Sequence, residues 1–439
     1  MKKVLLMILD GYGEGPATKG NAAKLAKTPT LDTLHKKYPT TLLRADSKAV
    51  GLPKGTQGGS EVGHFTIGAG RIIWQSLEEI NRSIKNDELF KMPALKKAIS
   101  NAKKNDSKLH IMGMISDEGV HSDINHLFAL LKFAKKEGLK KVYIHAITDG
   151  RDVPEKSVKK YIRMIQKNGF GKIATIIGRY YAMDRDTNWQ RTRKAYDLYT
   201  LGKGVIEKNP LKAIDNAYER RIETDYYLDP ILLDKEGLIE NKDSVVFFNY
   251  RTDRARQITK AFVKKTFKDF NPSKRVNPYF VCFGPYSKKA PVLFPTPVVK
   301  KNLGEIISNK GLKQLRIAET EKYAHVTYFF NSQLKDPFEK ENRILIPSPK
   351  CPSYADKPEM SAPKVTKALL PELKKNYSLI VLNFANCDLV GHSGELPAAI
   401  KAVETVDKCA EQVIPEALKQ GYEIILTADH GNIEKMLYK

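Results

Sequence analysis

Three stretches of the chain combine carboxylate with imidazole or stand as a lone acid after an apolar run: Asp10, Asp388-x-x-x-His392 and Asp429-His430. Carboxylate oxygen and imidazole nitrogen together suit Mn²⁺, Zn²⁺ or Mg²⁺-like centres. Two carboxylate–histidine pairs with one further aspartate are enough for two metal ions, which clamp the attacking and leaving oxygens in phosphoryl transfer. Taken alone, Asp429-His430-Gly431-Asn432 reads equally well as a turn after a strand; three such stretches favour the metal. A second set is cationic: Arg151, Arg179, Arg185, Arg191, Arg251 and Arg254. The planar guanidinium fork suits phosphate and carboxylate, which predicts a pocket for an anionic substrate. The plain alternative is surface pairing with Asp184, Asp186 and Asp253. The third feature is Ser60, inside the run Val50–Gly70 that holds seven of the 28 glycines. Glycine lets backbone N–H groups approach an anion closely. Ser60 either caps a short helix or acts as a nucleophile whose hydroxyl a metal acidifies. The run matches neither a P-loop, nor GxGxxG after a strand, nor a GxSxG elbow.

These residues need a scaffold, and the apolar runs supply one. Strands are predicted at Val4–Leu9, Leu109–Met114, Lys141–Ala146, Ile173–Ile177, Val245–Asn249, Ile380–Phe384 and Glu423–Leu426, with helices such as Ile124–Glu137, Glu155–Gln166 and Pro397–Leu418 between them. The alternation implies α/β units with mainly parallel sheets. Six of the runs lead directly into the candidate residues, and ligands of such sheets bind beyond the carboxyl ends of the strands. Asn271–Pro297, rich in Pro and Lys, reads as a linker, and a crossover is expected near Gln75–Glu79.

The 439 residues suffice for two or three domains, and 41% apolar residues exclude a disordered or fibrous chain. The net charge of +24 comes from 57 Lys and 17 Arg. The lysines are scattered, as on solvated faces, with no nucleic-acid motif and no aromatic–basic interleaving. Cys282, Cys351, Cys387 and Cys409 show no CxxC spacing, which fits a reducing cytosol. The apolar run after Met1 is too short for a signal peptide, and no run is long enough to span a membrane.

The stretches LDGYGEG, GGSEVGHFTIGAGR, SDEGVHS, ITDGRDVP, GRYYAMDRD, FFNYRTDRARQ, RIAETEKYAH, ILIPSPK, PEMSAP, NFANCDLVGH and TADHGN cover the chain from end to end. In this order the sequence closely resembles the cofactor-independent phosphoglycerate mutases of the alkaline-phosphatase-like superfamily. The resemblance implies an α/β protein of two domains with mainly parallel sheets: a discontinuous alkaline-phosphatase-like domain, residues 1–76 and 299–439, and an inserted phosphotransferase domain, residues 77–298. It implies metal-dependent interconversion of 3-phosphoglycerate and 2-phosphoglycerate in glycolysis through phosphorylated Ser60, with no bisphosphoglycerate. Two divalent ions, Mn²⁺ by expectation, are implied: one held by Asp10, Ser60, Asp429 and His430, the other by Asp388, His392 and a further histidine. Substrate contacts are implied for His121, Arg151, Asp152, Arg179, Arg185, Arg251, Arg254 and Lys322, with Asp152 moving protons, Lys322 stabilising the transferring group and domain closure excluding water. By their own surroundings His121 reads as a loop histidine and Lys322 as a surface lysine. A cytoplasmic monomer acting on a small molecule is expected, without nucleic-acid or membrane partners.

Where the family usually shows Asn, Pro and Gly, the chain has Gly59, Cys387 and Glu118; the first two are expected to be tolerated. The family carries its further histidine well beyond TADHGN, whereas nine residues without histidine come after His430 here. A C-terminally shortened family member, with an incomplete Asp388/His392 site and impaired activity, is therefore expected. The competing readings are a phosphatase or phosphopentomutase of the same superfamily, against which GRYYAMDRD and FFNYRTDRARQ argue, and a basic nucleic-acid-binding protein.

Overall fold

The computed structural model describes residues 2–437. They form two compact units, one of the residues up to Gln75 together with those from Val298 on, the other Ser76–Pro297. In chain order the strands are β1 (Lys3–Leu9), β2 (Leu109–Met114), β3 (Val142–Thr148), β4 (Lys172–Gly178), β5 (Val205–Ile206), β6 (Ile231–Leu232), β7 (Ser244–Phe247), β8 (Tyr279–Cys282), β9 (Gln314–Glu319), β10 (Glu341–Ile346), β11 (Leu379–Phe384) and β12 (Tyr422–Thr427).

The first unit holds a parallel sheet in the order β10-β9-β11-β1-β12. Its central strands read as continuous apolar runs because helices cover both faces. Leu5, Met7, Ile380 and Leu382 pack on the long helix Leu396–Lys419 through Ala399, Val403, Val406, Ala410 and Val413. That spacing of three and four residues is one face of a helix. Leu6, Ile8 and Val381 point the other way, onto Val326 and Phe330. Each fully buried Leu, Ile or Phe contributes roughly 1.5–3 kcal/mol. The outer edge is β12, where Ile425 is 54% and Leu426 36% exposed. The register aligns the strand exits: Leu9 lies beside Phe384, and Ile8 beside Thr427. The residues immediately after β1, β11 and β12 are therefore delivered to one end of the sheet.

The second unit has a seven-stranded sheet, β5-β6-β4-β3-β2-β7-β8, parallel except where β4 meets β6. Ile111, Ile144, Ile176 and Val246 face one core, and Met112, Ile147, Ile177 and Phe247 the other, the two-residue alternation of a sheet covered on both sides. Most of Asn271–Pro297 is folded, and the crossover between the units falls only at its end, between Pro297 and Val298. The segment contains β8 and buries Val276, Phe280, Val281 and Phe294; its prolines and lysines hide apolar residues that anchor an edge strand. No helix among the described residues is long and apolar enough to cross a membrane.

A polar chain runs through this second core. His110 Nε2 lies 3.0 Å from Asp243 Oδ2, His110 Nδ1 lies 3.0 Å from His145 Nε2, and His145 Nδ1 lies 2.9 Å from Thr175 Oγ1. Every bond is satisfied when both rings are neutral with the proton on Nε2. Burial lowers the pKa of both rings and takes that of His126 to about 3. In the unfolded chain these rings protonate near about 6.5. The unfolded state therefore binds more protons below that pH, and stability falls as pH drops from about 6.5 towards 3. The melting temperature should decrease over this range, and His145→Gln should flatten the dependence; equal slopes in thermal melts of the two proteins would contradict it.

Candidate active site

In the first unit, four neighbouring strands, β9, β11, β1 and β12, end in polar residues that converge. Asp10 comes directly after β1. Asp388 lies in the short helix after β11, Asp429 and His430 come after β12, and Lys322 lies in the helix Thr320–Ala324 after β9. Ser60 opens the helix Ser60–Ala69, and its hydroxyl makes no cap bond; the residue before the helix is Gly59. Instead Ser60 Oγ lies 2.9 Å from Asp10 Oδ1, 2.9 Å from His430 Nε2 and 2.6 Å from Lys322 Nζ. Two glycines permit this convergence. Gly11, at φ +76°, turns the chain where a Cβ would lie 2.6 Å from Asp388 Cα, and a Cβ on Gly63 would lie 2.7 Å from the Asp429 carbonyl oxygen. At Gly59 a Cβ would meet nothing within 4 Å, so the position leaves room for a larger residue.

The cluster is almost dry and strongly acidic. Asp10 is fully buried, Lys322 is 3% exposed, and Lys322 Nζ contacts Asp10 Oδ1 at 2.6 Å and Asp388 Oδ2 at 2.5 Å. Burial alone would raise the Asp10 carboxyl pKa, but the His430 hydrogen bond and the Lys322 charge outweigh it and hold the pKa far below the usual range. Burial would lower His430, yet its bond to Asp10 and the Asp429 charge bring it to about 9. Lys322 is raised: burial opposes the charged form, and Asp10 and Asp388 more than offset it. His64 is raised in the same sense, burial being outweighed by Asp429 and Asp10. The carboxylates of this cluster thus draw protons onto both rings, as an excess of negative charge must.

These donors suit a cation. Ligand atoms of Asp10, Asp388 and His430 lie within 4.8 Å of one another, as do those of Asp10, His64 and Asp429. The buried oxygen Asp429 Oδ2 faces only imidazole nitrogens, His64 Nδ1 at 3.2 Å and His430 Nε2 at 3.7 Å, an arrangement in which imidazolium stands where a cation would sit. His430 Nδ1 faces the Gly431 carbonyl at 2.9 Å, so it is the donor nitrogen, and in the neutral ring the lone pair of Nε2 is turned towards Ser60 and Asp10. His392 Nε2 lies 3.2 Å from Asp388 Oδ1, with its side chain 71% exposed; it stands outside both compact groups.

The second unit gathers its charged residues in the same way, at the exits of β2, β3, β4 and β7. Arg179, the first residue after β4, is 2% exposed. Its Nη1 lies 2.5 Å from Asp149 Oδ1 and 2.6 Å from Asp152 Oδ2, and its Nη2 lies 2.8 Å from His121 Nε2. Burial and the Arg179 charge lower the His121 pKa to about 4, so the neutral ring accepts from Arg179. Arg185 and Arg251 share Asp253, at 2.9 and 3.1 Å. Arg254 donates to the Met183 carbonyl, and burial, then Arg185 and Arg179, lower its pKa: cations are crowded here. Arg151 lies 6.0 Å from the Tyr226 ring and is exposed.

Among known families, a model of the BPG-independent PGAM N-terminus matches residues 80–288, and one for type I phosphodiesterases and nucleotide pyrophosphatases matches residues 303–434. The chain is 50% identical over 446 residues to the 2,3-bisphosphoglycerate-independent phosphoglycerate mutase of Moorella thermoacetica, covering 99% of this chain and 86% of that protein. It is 51% identical over 450 residues to the corresponding mutase 1 of Methanosarcina acetivorans, covering 99% and 87%. The chain belongs to the 2,3-bisphosphoglycerate-independent phosphoglycerate mutase family. A crystal structure of Leishmania mexicana phosphoglycerate mutase at low cobalt concentration is 31% identical, with a TM-score of 0.60 over 99% of this chain and 83% of that one.

Within this family member the structure sorts the candidate residues. It brings together Asp10, Ser60, Lys322, Asp388, Asp429 and His430 in one unit, and His121, Asp152 and Arg179 in the other. Lys322 and His121 are buried, so neither is the surface lysine or plain loop histidine that its neighbours in sequence suggest. Arg191 leaves the cationic set: it stacks 3.9 Å from the Tyr180 ring and pairs with Asp184 at 3.2 Å, a structural brace. Three residues escape sequence reasoning. Asp149 is the buried partner of Arg179, and His64 and Asn383, both fully buried, lie behind Asp10 and Asp429. Asn383 had a legible signal, a lone amide inside the apolar run Leu379–Phe384.

Proposed function

We propose that the chain interconverts 3-phosphoglycerate and 2-phosphoglycerate without bisphosphoglycerate, the phosphoryl group passing through Ser60. The observation that carries this reading is the Ser60 hydroxyl, turned away from any capping role and met by a carboxylate, an imidazole and an ammonium within 2.9 Å. Asp10, Ser60, Asp429 and His430 would hold one divalent ion, and Asp388 with His392 would contribute to a second, Mn²⁺ being the ion we favour. When bound, such ions neutralise charge on the transferring group and favour ionisation of the serine hydroxyl.

The chain's own residues do the rest. The Ser60 hydroxyl donates to Asp10 Oδ1 and accepts from Lys322 Nζ, and once ionised its oxygen is the attacking group. Ser60 Oγ bonds to phosphorus as the ester bond to the glycerate oxygen breaks, and that oxygen takes a proton, which we assign to Asp152. The phosphoryl group then sits at the first turn of the helix Ser60–Ala69, where the helix dipole favours negative charge, with Lys322 beside it. Arg151, Arg179, Arg185, Arg251, Arg254 and His121 hold the glycerate while it turns. The other hydroxyl then attacks phosphorus and returns a proton to Asp152 as the Oγ–P bond breaks, releasing Ser60 in the ionised form in which it attacked. We take the enzyme to be a cytoplasmic monomer whose partner is its small-molecule substrate.

With 3-phosphoglycerate and Mn²⁺ but no bisphosphoglycerate, ³¹P NMR should show 2-phosphoglycerate forming. EDTA should stop it and added Mn²⁺ restore it. Release of inorganic phosphate instead would make the chain a phosphatase and overturn the reading.

A further inference from the structure

Behind the metal-ligand candidates lies a fully buried pair to which the proposed reaction gives no part. Asn383 leaves the apolar alternation of β11, and its Nδ2 lies 2.8 Å from Asp10 Oδ2 and 3.0 Å from His64 Nε2. An amide nitrogen carries two protons, one for each of these acceptors. On the far side of the ring, His64 Nδ1 lies 2.9 Å from the Ser60 carbonyl and 3.2 Å from Asp429 Oδ2. A proton on Nδ1 is within reach of both the Ser60 carbonyl and the Asp429 carboxylate, so the Asn383–His64 pair links Asp10, Asp429 and the Ser60 backbone.

We infer that Asn383 and His64 form a bridge that fixes Asp10 and Asp429, and the first turn carrying Ser60, in the orientation needed to bind a divalent cation. They are positioning residues and touch no reacting atom. The outer partners of metal ligands act in this way, and losing one typically costs 10–100-fold in metal affinity. The inference rests on the reading of this cluster as a metal centre.

Mn²⁺ binding to the full chain, read by loss of the free-ion EPR signal, tests it. Asn383→Leu, close in size and without donors, should weaken Mn²⁺ binding ~10–100-fold and lower kcat, with KM for 3-phosphoglycerate unchanged. His64→Ala should act in the same direction, and the double variant should be scarcely worse than the more affected single one, because the two act as a unit. A wild-type chain that binds no Mn²⁺ would overturn the metal reading and the bridge together. Wild-type binding with unaffected variants would overturn the bridge alone. If these variants do not fold, His64→Gln, which keeps an amide donor in the same place, is measured instead: Mn²⁺ binding weakened at least ~10-fold supports the bridge, and unchanged binding overturns it.

Discussion

Ser60→Ala should lose turnover by at least ~10⁴-fold, the scale on which removing a covalent nucleophile acts, while the fold survives. The hydroxyl is the part of Ser60 that reaches the cluster, through Asp10, His430 and Lys322. Its loss leaves the helix Ser60–Ala69 intact, because the hydroxyl caps nothing there. The cost in stability should be about 1.5–3 kcal/mol, that of a hydrogen bond to charged groups. A coupled assay gives the first quantity and thermal melting the second. Near-normal turnover with an unchanged melt would mean that another group carries the phosphoryl. A large loss of both would mean that the serine is structural.

The second large effect belongs to Arg179. Its guanidinium is buried with Asp149, itself 2% exposed, and with Asp152. Arg179→Met removes the cation and leaves the two carboxylates facing each other with no counter-charge. Breaking a buried pair in this way costs about 3–5 kcal/mol, and the substrate would lose a two-pronged partner. Urea unfolding should show the loss, and KM for 3-phosphoglycerate should rise at least about tenfold, which corresponds to roughly 1.4 kcal/mol. Arg179→Lys should recover much of the stability but little of the affinity, because a point charge replaces a fork. Full recovery of both by lysine would show that only charge matters at this position.

The parallel α/β architecture was legible because its central strands are buried on both faces and read as unbroken apolar runs. The residues after β1, β11 and β12 could be singled out because chemistry gathers at the carboxyl ends of such strands. The parts that stayed hidden did so for physical causes. β9 and β10 escaped notice because two charged residues sit in each, Arg316 and Glu319 in β9 and Glu341 and Arg343 in β10. Arg316 is fully buried against Gln314 at 2.7 Å and the Phe330 ring at 4.7 Å, a charge that reads as surface until its partners are known. β8 was masked by the prolines and lysines around it. By its own surroundings Lys322 looked like one lysine among 57, and in the structure the convergence of Asp10, Asp388 and Ser60 on it sets it apart. Arg191 misled in the opposite direction, since its spacing matched the cationic set while its side chain pairs with Asp184 and Tyr180. The family motifs carried the remainder, Lys322 and His121 above all.

The central claim is that the phosphoryl group rests on Ser60 between the two half-reactions. Rapid acid quenching of the Mn²⁺-loaded chain during turnover of 3-phosphoglycerate, with peptide mass spectrometry of the quenched protein, measures it directly. A phosphate on the peptide containing Ser60, formed equally from 2-phosphoglycerate and absent from Ser60→Ala, is the predicted result. Active turnover with no phosphate on Ser60 at any quench time, or with phosphate on a different residue, would contradict it.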